Sequence, residues 1–157
     1  MKETNSKTNC ILVPVDFSPH SEAALLLACT LAKCLHAVPL VLHVVHDPAE
    51  TPGYYKQTIK KKQLHRIEDS ARDMLNDFLA RLVKSHREVR GVANVESILV
   101  RGLPSNRILE VAKKRNVSMI VMGSKGRTGI KHLLVGSVAE RVVQFSPVPV
   151  TVAKLGQ

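Results

Sequence analysis

The chain has 157 residues, 45% hydrophobic and 23% charged, enough for one domain with its own core and too short for two comfortable ones. A formal net charge of +10 favours an anionic partner, a class that includes nucleotides, nucleic acid, anionic lipid and acidic proteins alike. The most apolar region, residues 23–45, is interrupted by Lys33, His36 and Pro39, which excludes the uninterrupted span of about 20 apolar residues that a membrane helix needs.

In chain order, residues 1–9 are polar, lack the apolar core of a secretory signal and read as a frayed tail before a domain over residues 10–157. Cys10 to Val15 is a short β-rich apolar run. It leads into "DFSPHSE", where Ser18 suits a helix cap and Pro19 the first helical position. That helix is expected to reach about His36, and "PLVLHVV", Pro39 to Val45, reads as a second buried strand closed by the turn-forming Asp47 to Gly53. From about Tyr54 to Val89, the residues Leu64, Ile67, Ala71, Met74, Leu75, Phe78, Leu79 and Leu82 recur at helical spacing among charged ones. They predict a long amphipathic helix with one buried face, the lysines 60–62 lying on its solvated side. A third strand is expected over Asn94 to Gly102, a third helix from Pro104, a fourth strand over Val117 to Met122, a helix over Ser137 to Gln144 and a last strand over Val148 to Ala153.

Strand and helix patterns alternate, and the strands are continuous apolar runs, as where helices cover both sheet faces. The expectation is a doubly wound, Rossmann-like α/β fold: one domain, a five-stranded parallel sheet, helices on both faces. Pro147 and Pro149 put the last strand at an edge, because proline donates no ladder hydrogen bond. Three cysteines cannot all pair with one another, and each reads best as a small buried apolar residue in a reducing, cytoplasmic setting. His43 and His46, three apart in an extended strand, point to opposite faces and make no zinc site. His20 and His132 read as surface or capping residues, and no residue has a case as general base.

Ligands of open parallel sheets bind beyond the carboxyl ends of the strands, where the strand order reverses. Asp16 closes the first strand and Gly123 begins the loop after the fourth, so both face one crevice if those strands are neighbours. The segment "MGSKGRTGIKHLLVGS", Met122 to Ser137, combines four glycines with Lys125, Arg127 and Lys131. Glycines let backbone amides approach phosphate oxygens, Gly136 and Ser137 stand at a helix start that favours negative charge, and the basic side chains neutralise it. The segment is neither a Walker loop, since Val121 precedes Gly126, Arg127 and Thr128 at the required distance, nor a G-x-G-x-x-G fingerprint. Ser137 with Glu140 also reads as a capping box with no ligand, Asp16 as a strand end or turn residue, and Gly129 as a turn residue.

Gly123, two residues, Gly126, nine residues, then Gly136-Ser137 resembles the nucleotide motif of the universal stress protein family, in its ATP-binding branch. The similarity covers almost the whole domain, including "ILVPVDFSPHSEAAL", "LVLHVV", "VRGLPSNRILEVA" and "SPVPVTVAK". The resemblance implies that Asp16 contacts the ribose or adenine region, that Pro14 and Val15 line the pocket, and that Val44 meets adenine through its backbone. It implies that Gly102 borders the nucleotide, that Met122 packs beside the base, and that Gly123, Gly126, Gly136, Ser137 and Val138 hold ribose and phosphates, with Arg127 nearby. ATP, with ADP and AMP as alternatives, is the expected ligand, and Mg²⁺ would accompany it near Asp16, with no metal held by protein alone. ATP is expected to order the loop from Gly123 to Gly136 and so alter a surface read by a protein partner. A homodimer through the last strand is also implied, and its apolar edge at Val148, Val150 and Val152 gives that a physical reason. Two alternatives are an Mg²⁺-dependent enzyme that cleaves or transfers ATP phosphates through Asp16, and a basic module for nucleic acid or another polyanion; the scarcity of aromatics, 3%, disfavours the latter.

Overall fold

The computed structural model describes residues 9–46, 61–87, 91–92, 95–126 and 135–155, with the side chains of 61–65 outside the description. Its elements are β1 (Asn9–Val15), α1 (Pro19–Leu35), β2 (Ala37–Val45), α2 (Lys61–Ser85), β3 (Glu96–Arg101), α3 (Pro104–Lys114), β4 (Met119–Gly123), α4 (Ser137–Phe145) and β5 (Val150–Ala153). All strand pairs are parallel, in the order β3-β2-β1-β4-β5. The expected doubly wound α/β fold is what the chain adopts, with β5 at an edge.

The inner strands β1, β2 and β4 feed two cores, because successive side chains point to opposite sheet faces. Ile11, Val13 and Val15 of β1, Val41 of β2 and Val121 of β4 pack with Ala24, Leu25 and Ala28 of α1 and Leu75, Phe78 and Leu82 of α2. Leu12, Leu40, Leu42, Ile120 and Met122 face the other way, onto Ile108, Val111 and Ala112 of α3 and Ala139 and Val142 of α4. This two-sided burial is why the strands read as unbroken apolar runs.

Local chemistry sets the element ends. Ser18 caps α1, its hydroxyl accepting from the Ser21 amide, and Pro19 opens the helix. Pro39 sits in β2 before the pairing with β3 begins at Leu40↔Glu96, so its missing N–H breaks no bond there. In α2, Ala71, Leu75, Phe78 and Leu82 are buried, but Ile67 and Met74 are exposed, which corrects the broader buried face expected from periodicity. Val148 precedes β5 and accepts a hydrogen bond from the Ser146 hydroxyl, so of the three valines assigned to the last strand only Val150 and Val152 belong to it. Among the cysteines, Cys29 is buried, Cys10 half-buried and Cys34 exposed, so the small-apolar reading holds fully for Cys29 alone. No described helix is long and apolar enough to cross a membrane.

Candidate functional site

The strand order reverses between β1 and β4, and there the sheet splits. The β1–β4 pairing comprises Ile11↔Met119 and Leu12↔Ile120, whereas β1 pairs with β2 as far as Val15↔His43. Pro14 has no N–H to extend the ladder, and beyond Leu12 the two strands diverge around a crevice of about 260 Å³, far above the ~10–15 Å³ that holds one water.

Each neighbouring element contributes a wall. β1 and its end supply Pro14, Val15 and Asp16, and β2 supplies Leu42, His43 and Val44. The start of α3 adds Pro104 and Ile108, β4 and its loop add Met122 to Gly126, and the start of α4 adds Gly136 to Ala139. Leu42, Ile108, Met122 and Ala139 also belong to the second core, so the crevice opens directly onto apolar packing. Asp16, Ser124, Lys125 and Ser137 give it polar walls.

The Asp16 loop is held in place from several sides. Its Oδ1 accepts from the Ser18 hydroxyl at 2.6 Å and the Ser18 amide at 3.2 Å, tying the carboxylate to the cap of α1. Phe17 adopts a left-handed backbone, φ 66°, an uncommon state for a bulky residue that surrounding contacts must maintain. Its ring lies 4.3 Å from that of His43 and packs edge-on against Phe78 at 5.7 Å. His43 Nδ1 is 2.8 Å from the Val15 carbonyl oxygen. His43 is therefore a packed structural residue at the crevice, as well as part of its wall.

The three motif glycines differ in what forces them to be glycine. A Cβ on Gly123 would lie 2.8 Å from the carbonyl carbon of His20, inside the first turn of α1. One on Gly126 would lie 2.9 Å from Asp16 Oδ2. One on Gly136 would meet nothing nearer than the Ser124 carbonyl oxygen at 3.6 Å, an ordinary contact. Gly136 is also the N-cap of α4, with φ −75° and ψ 156°, a conformation open to any residue. Ser137 is the first helical residue and α4 has no side-chain cap, so the Ser137–Glu140 capping box does not form. The opening amides of α4 thus carry their partial positive charge at the crevice wall.

Of the residues expected at a site, Pro14, Val15, Asp16, Val44, Met122, Gly123, Gly126, Gly136, Ser137 and Val138 all line this crevice. Gly102 does not. It is buried after β3 with φ 137°, its amide bonded to the Val45 carbonyl at 3.0 Å, and that left-handed turn explains the glycine without a ligand. Arg127, Gly129, Lys131 and His132 lie outside the described residues, as does most of the loop expected to respond to ATP. Sequence reasoning missed Leu42, which stands opposite Pro14 in register, Pro104 and Ile108 at the start of α3, and Ser124. It also missed that His20 Nδ1 lies 3.2 Å from Ser124 Oγ; no spacing rule joins residues 104 positions apart.

The model of the family described as "Universal stress protein family" matches residues 8–154. The universal stress protein YxiE of Bacillus subtilis is 33% identical over 148 residues, 93% of this chain and 99% of that protein. The solved structure of universal stress protein UspA from Lactobacillus plantarum is 25% identical, covers 95% of this chain and 99% of its own, and superposes with a TM-score of 0.76. Two structures alike in fold, each 20% identical, are a universal stress protein in complex with cAMP (TM-score 0.57, 94% of this chain and 97% of that one) and one from Archaeoglobus fulgidus in complex with dAMP (TM-score 0.56, 94% and 98%). With the family model matched over nearly its whole length, around a crevice at the strand-order reversal, the chain belongs to the universal stress protein family.

Proposed function

We propose that this chain is an ATP-binding regulatory protein whose nucleotide occupies the crevice between β1 and β4. The observation that carries this reading is Gly136. Its conformation suits any residue and a Cβ would meet only ordinary contacts, so nothing described within the protein requires glycine there. A phosphate drawn onto the uncapped start of α4 favours it, because an N-cap without a side chain leaves the amides open to approach. Relatives of the same fold hold adenine nucleotides, cAMP in one and dAMP in another.

In this reading Pro14, Val15, Val44 and Met122 enclose the adenine, Val44 through its main chain, and Asp16 meets the ribose or adenine region. Gly123, Gly126, Gly136, Ser137 and Val138 hold ribose and phosphates, with Lys125 and Arg127 neutralising charge. Gly102 is a turn residue outside this set. Mg²⁺ enters with the phosphates near Asp16, the acidic side chain among the described residues lining the crevice. No group of three or more His, Cys, Asp or Glu that could hold a metal occurs among the described residues. Binding changes the surface around the crevice, which a protein partner reads. The protein is a homodimer paired through the outer edge of β5.

Calorimetric titration of nucleotide-stripped protein with ATP and Mg²⁺ tests the site. Saturable binding by the wild type, lost in a folded Gly126→Val variant, is expected. Absence of wild-type binding at millimolar ATP would overturn the reading.

A further inference from the structure

Ser124 is only 2% exposed, yet three elements meet on it. Its amide donates to the Ala153 carbonyl at the end of β5 at 2.9 Å, and its carbonyl accepts from the amide of Gly136, the N-cap of α4, at 2.7 Å. Its hydroxyl lies 3.2 Å from Nδ1 of His20, in the first turn of α1. The same turn fills the space beside Gly123, where a Cβ would come within 2.9 Å of the His20 backbone and Cβ. His20 thus braces two consecutive residues of the loop, one with its main chain and one with its ring.

We propose that His20 is a positioning residue of the crevice, which fixes Ser124 and through it the distance between the β4 loop and the start of α4. This rests on the ATP reading above, since the groups so positioned are those assigned to the phosphates. The brace is rigid: Pro19 opens α1, and the Ser18 hydroxyl both caps it at Ser21 and bonds Asp16. The Ser124 peptide is clamped at both its polar ends, so the hydroxyl is the contact through which a side chain can adjust it. Without the imidazole, a hydroxyl in a nearly inaccessible position loses its described partner, and a buried group left unsatisfied favours rearrangement of whatever carries it. What carries it here is the carbonyl that holds Gly136. His20 itself is not among the residues lining the crevice, so its effect on ligand is indirect.

The test compares ATP and adenosine binding by calorimetry in the wild type and in His20→Ala, His20→Asn, Ser124→Ala and the His20→Ala/Ser124→Ala double variant. Asparagine places a hydrogen-bonding atom near the position of imidazole Nδ1. His20→Ala is expected to weaken ATP about three- to tenfold, the range of one hydrogen bond, and to leave adenosine unchanged, while His20→Asn keeps wild-type affinity for both. In the Ser124→Ala background, His20→Ala should have no further effect. Equal losses for adenosine and ATP, failure of Asn to rescue, or additive losses in the double variant would each overturn the proposal. Amide exchange of unliganded protein supplies a readout independent of nucleotide: His20→Ala should speed exchange at the Gly136 amide, and His20→Asn should not. If the wild type binds no ATP, the ATP reading fails and this exchange measurement decides the role of His20; an unchanged Gly136 rate would overturn it.

Discussion

At the scale of single residues, the motif glycines make separable predictions because different neighbours oppose a side chain at each. Gly123→Ala forces a methyl group into the backbone of His20, 2.8 Å away, and overpacking of this kind costs about 1–3 kcal/mol, visible as a lowered unfolding midpoint. Gly136→Ala meets open contacts and exchanges one uncapped N-cap residue for a poorer one, a cost under about 1 kcal/mol; it should keep the fold and lose at least tenfold in ATP affinity. Equal loss of stability in the two variants, measured by urea unfolding, would mean that Gly136 is structural and would remove the main support for the phosphate reading. The cysteines give a second contrast. Burial pushes the Cys29 thiol up to about 11, so at pH 8 only about one molecule in a thousand carries the reactive thiolate, whereas Cys34 is exposed. Iodoacetamide at pH 8 should label Cys34 in the native protein and Cys29 only after denaturant, as read by mass spectrometry. Because the folded value lies above the ordinary 9.0, burial of Cys29 stabilises the fold below pH 9, and that contribution is lost as pH rises toward 11.

At the scale of elements, what the sequence reveals depends on whether a contact is periodic or long-range. Every strand and helix is legible because the inner strands are buried on both faces, the edge strands β3 and β5 keep short apolar runs, and each helix has a repeating apolar stripe. The ends of α1 and α3 are legible because Pro19 and Pro104 mark helix starts. Periodicity overstates the buried face of α2, since it cannot say where the sheet beneath the helix ends. Leu82 and Phe78 are at most 3% exposed, against 42% for Met74. Leu82→Ala should therefore cost about 2–5 kcal/mol, and Met74→Ala less than about 0.5 kcal/mol, by denaturant unfolding; similar costs would show that the outer stripe of α2 is covered in solution. The candidate site is legible where it rests on the glycine spacing and the strand ends, and illegible where it rests on tertiary placement. Leu42 reaches the crevice by register with Pro14, Ile108 by the docking of α3, and His20 by lying across the β4 loop. Gly102 shows a related limit: it lies outside the crevice lining, and a glycine in a left-handed turn looks the same in sequence as one placed against a ligand.

At the scale of the whole molecule, the split between β1 and β4 and the open side of β5 are two of the places where the sheet leaves backbone groups without a neighbouring strand, the outer side of β3 being another. The first becomes the crevice, and the second is the surface assigned to the homodimer. The ladder fixes which β5 residues face outward. Ile120 donates to the Pro149 carbonyl and Ser124 to the Ala153 carbonyl, both at 2.9 Å, so in a parallel pair residues 149, 151 and 153 turn their polar groups toward β4. Those of Val150 and Val152 therefore point to the open edge. Val152→Pro removes one outward N–H and no bond to β4, a substitution that edge strands tolerate. Thr151→Pro removes an inward N–H and should unfold the edge. If the dimer forms by strand pairing along β5, wild-type protein at micromolar concentration will run as a dimer in size-exclusion chromatography with light scattering. Val152→Pro will then run as a folded monomer with its circular dichroism unchanged. A monomeric wild type would remove β5 as an interface, and a dimeric Val152→Pro would transfer the contact from the backbone edge to side chains around it, such as Val143 and Phe145, which α4 exposes by 51% and 57%.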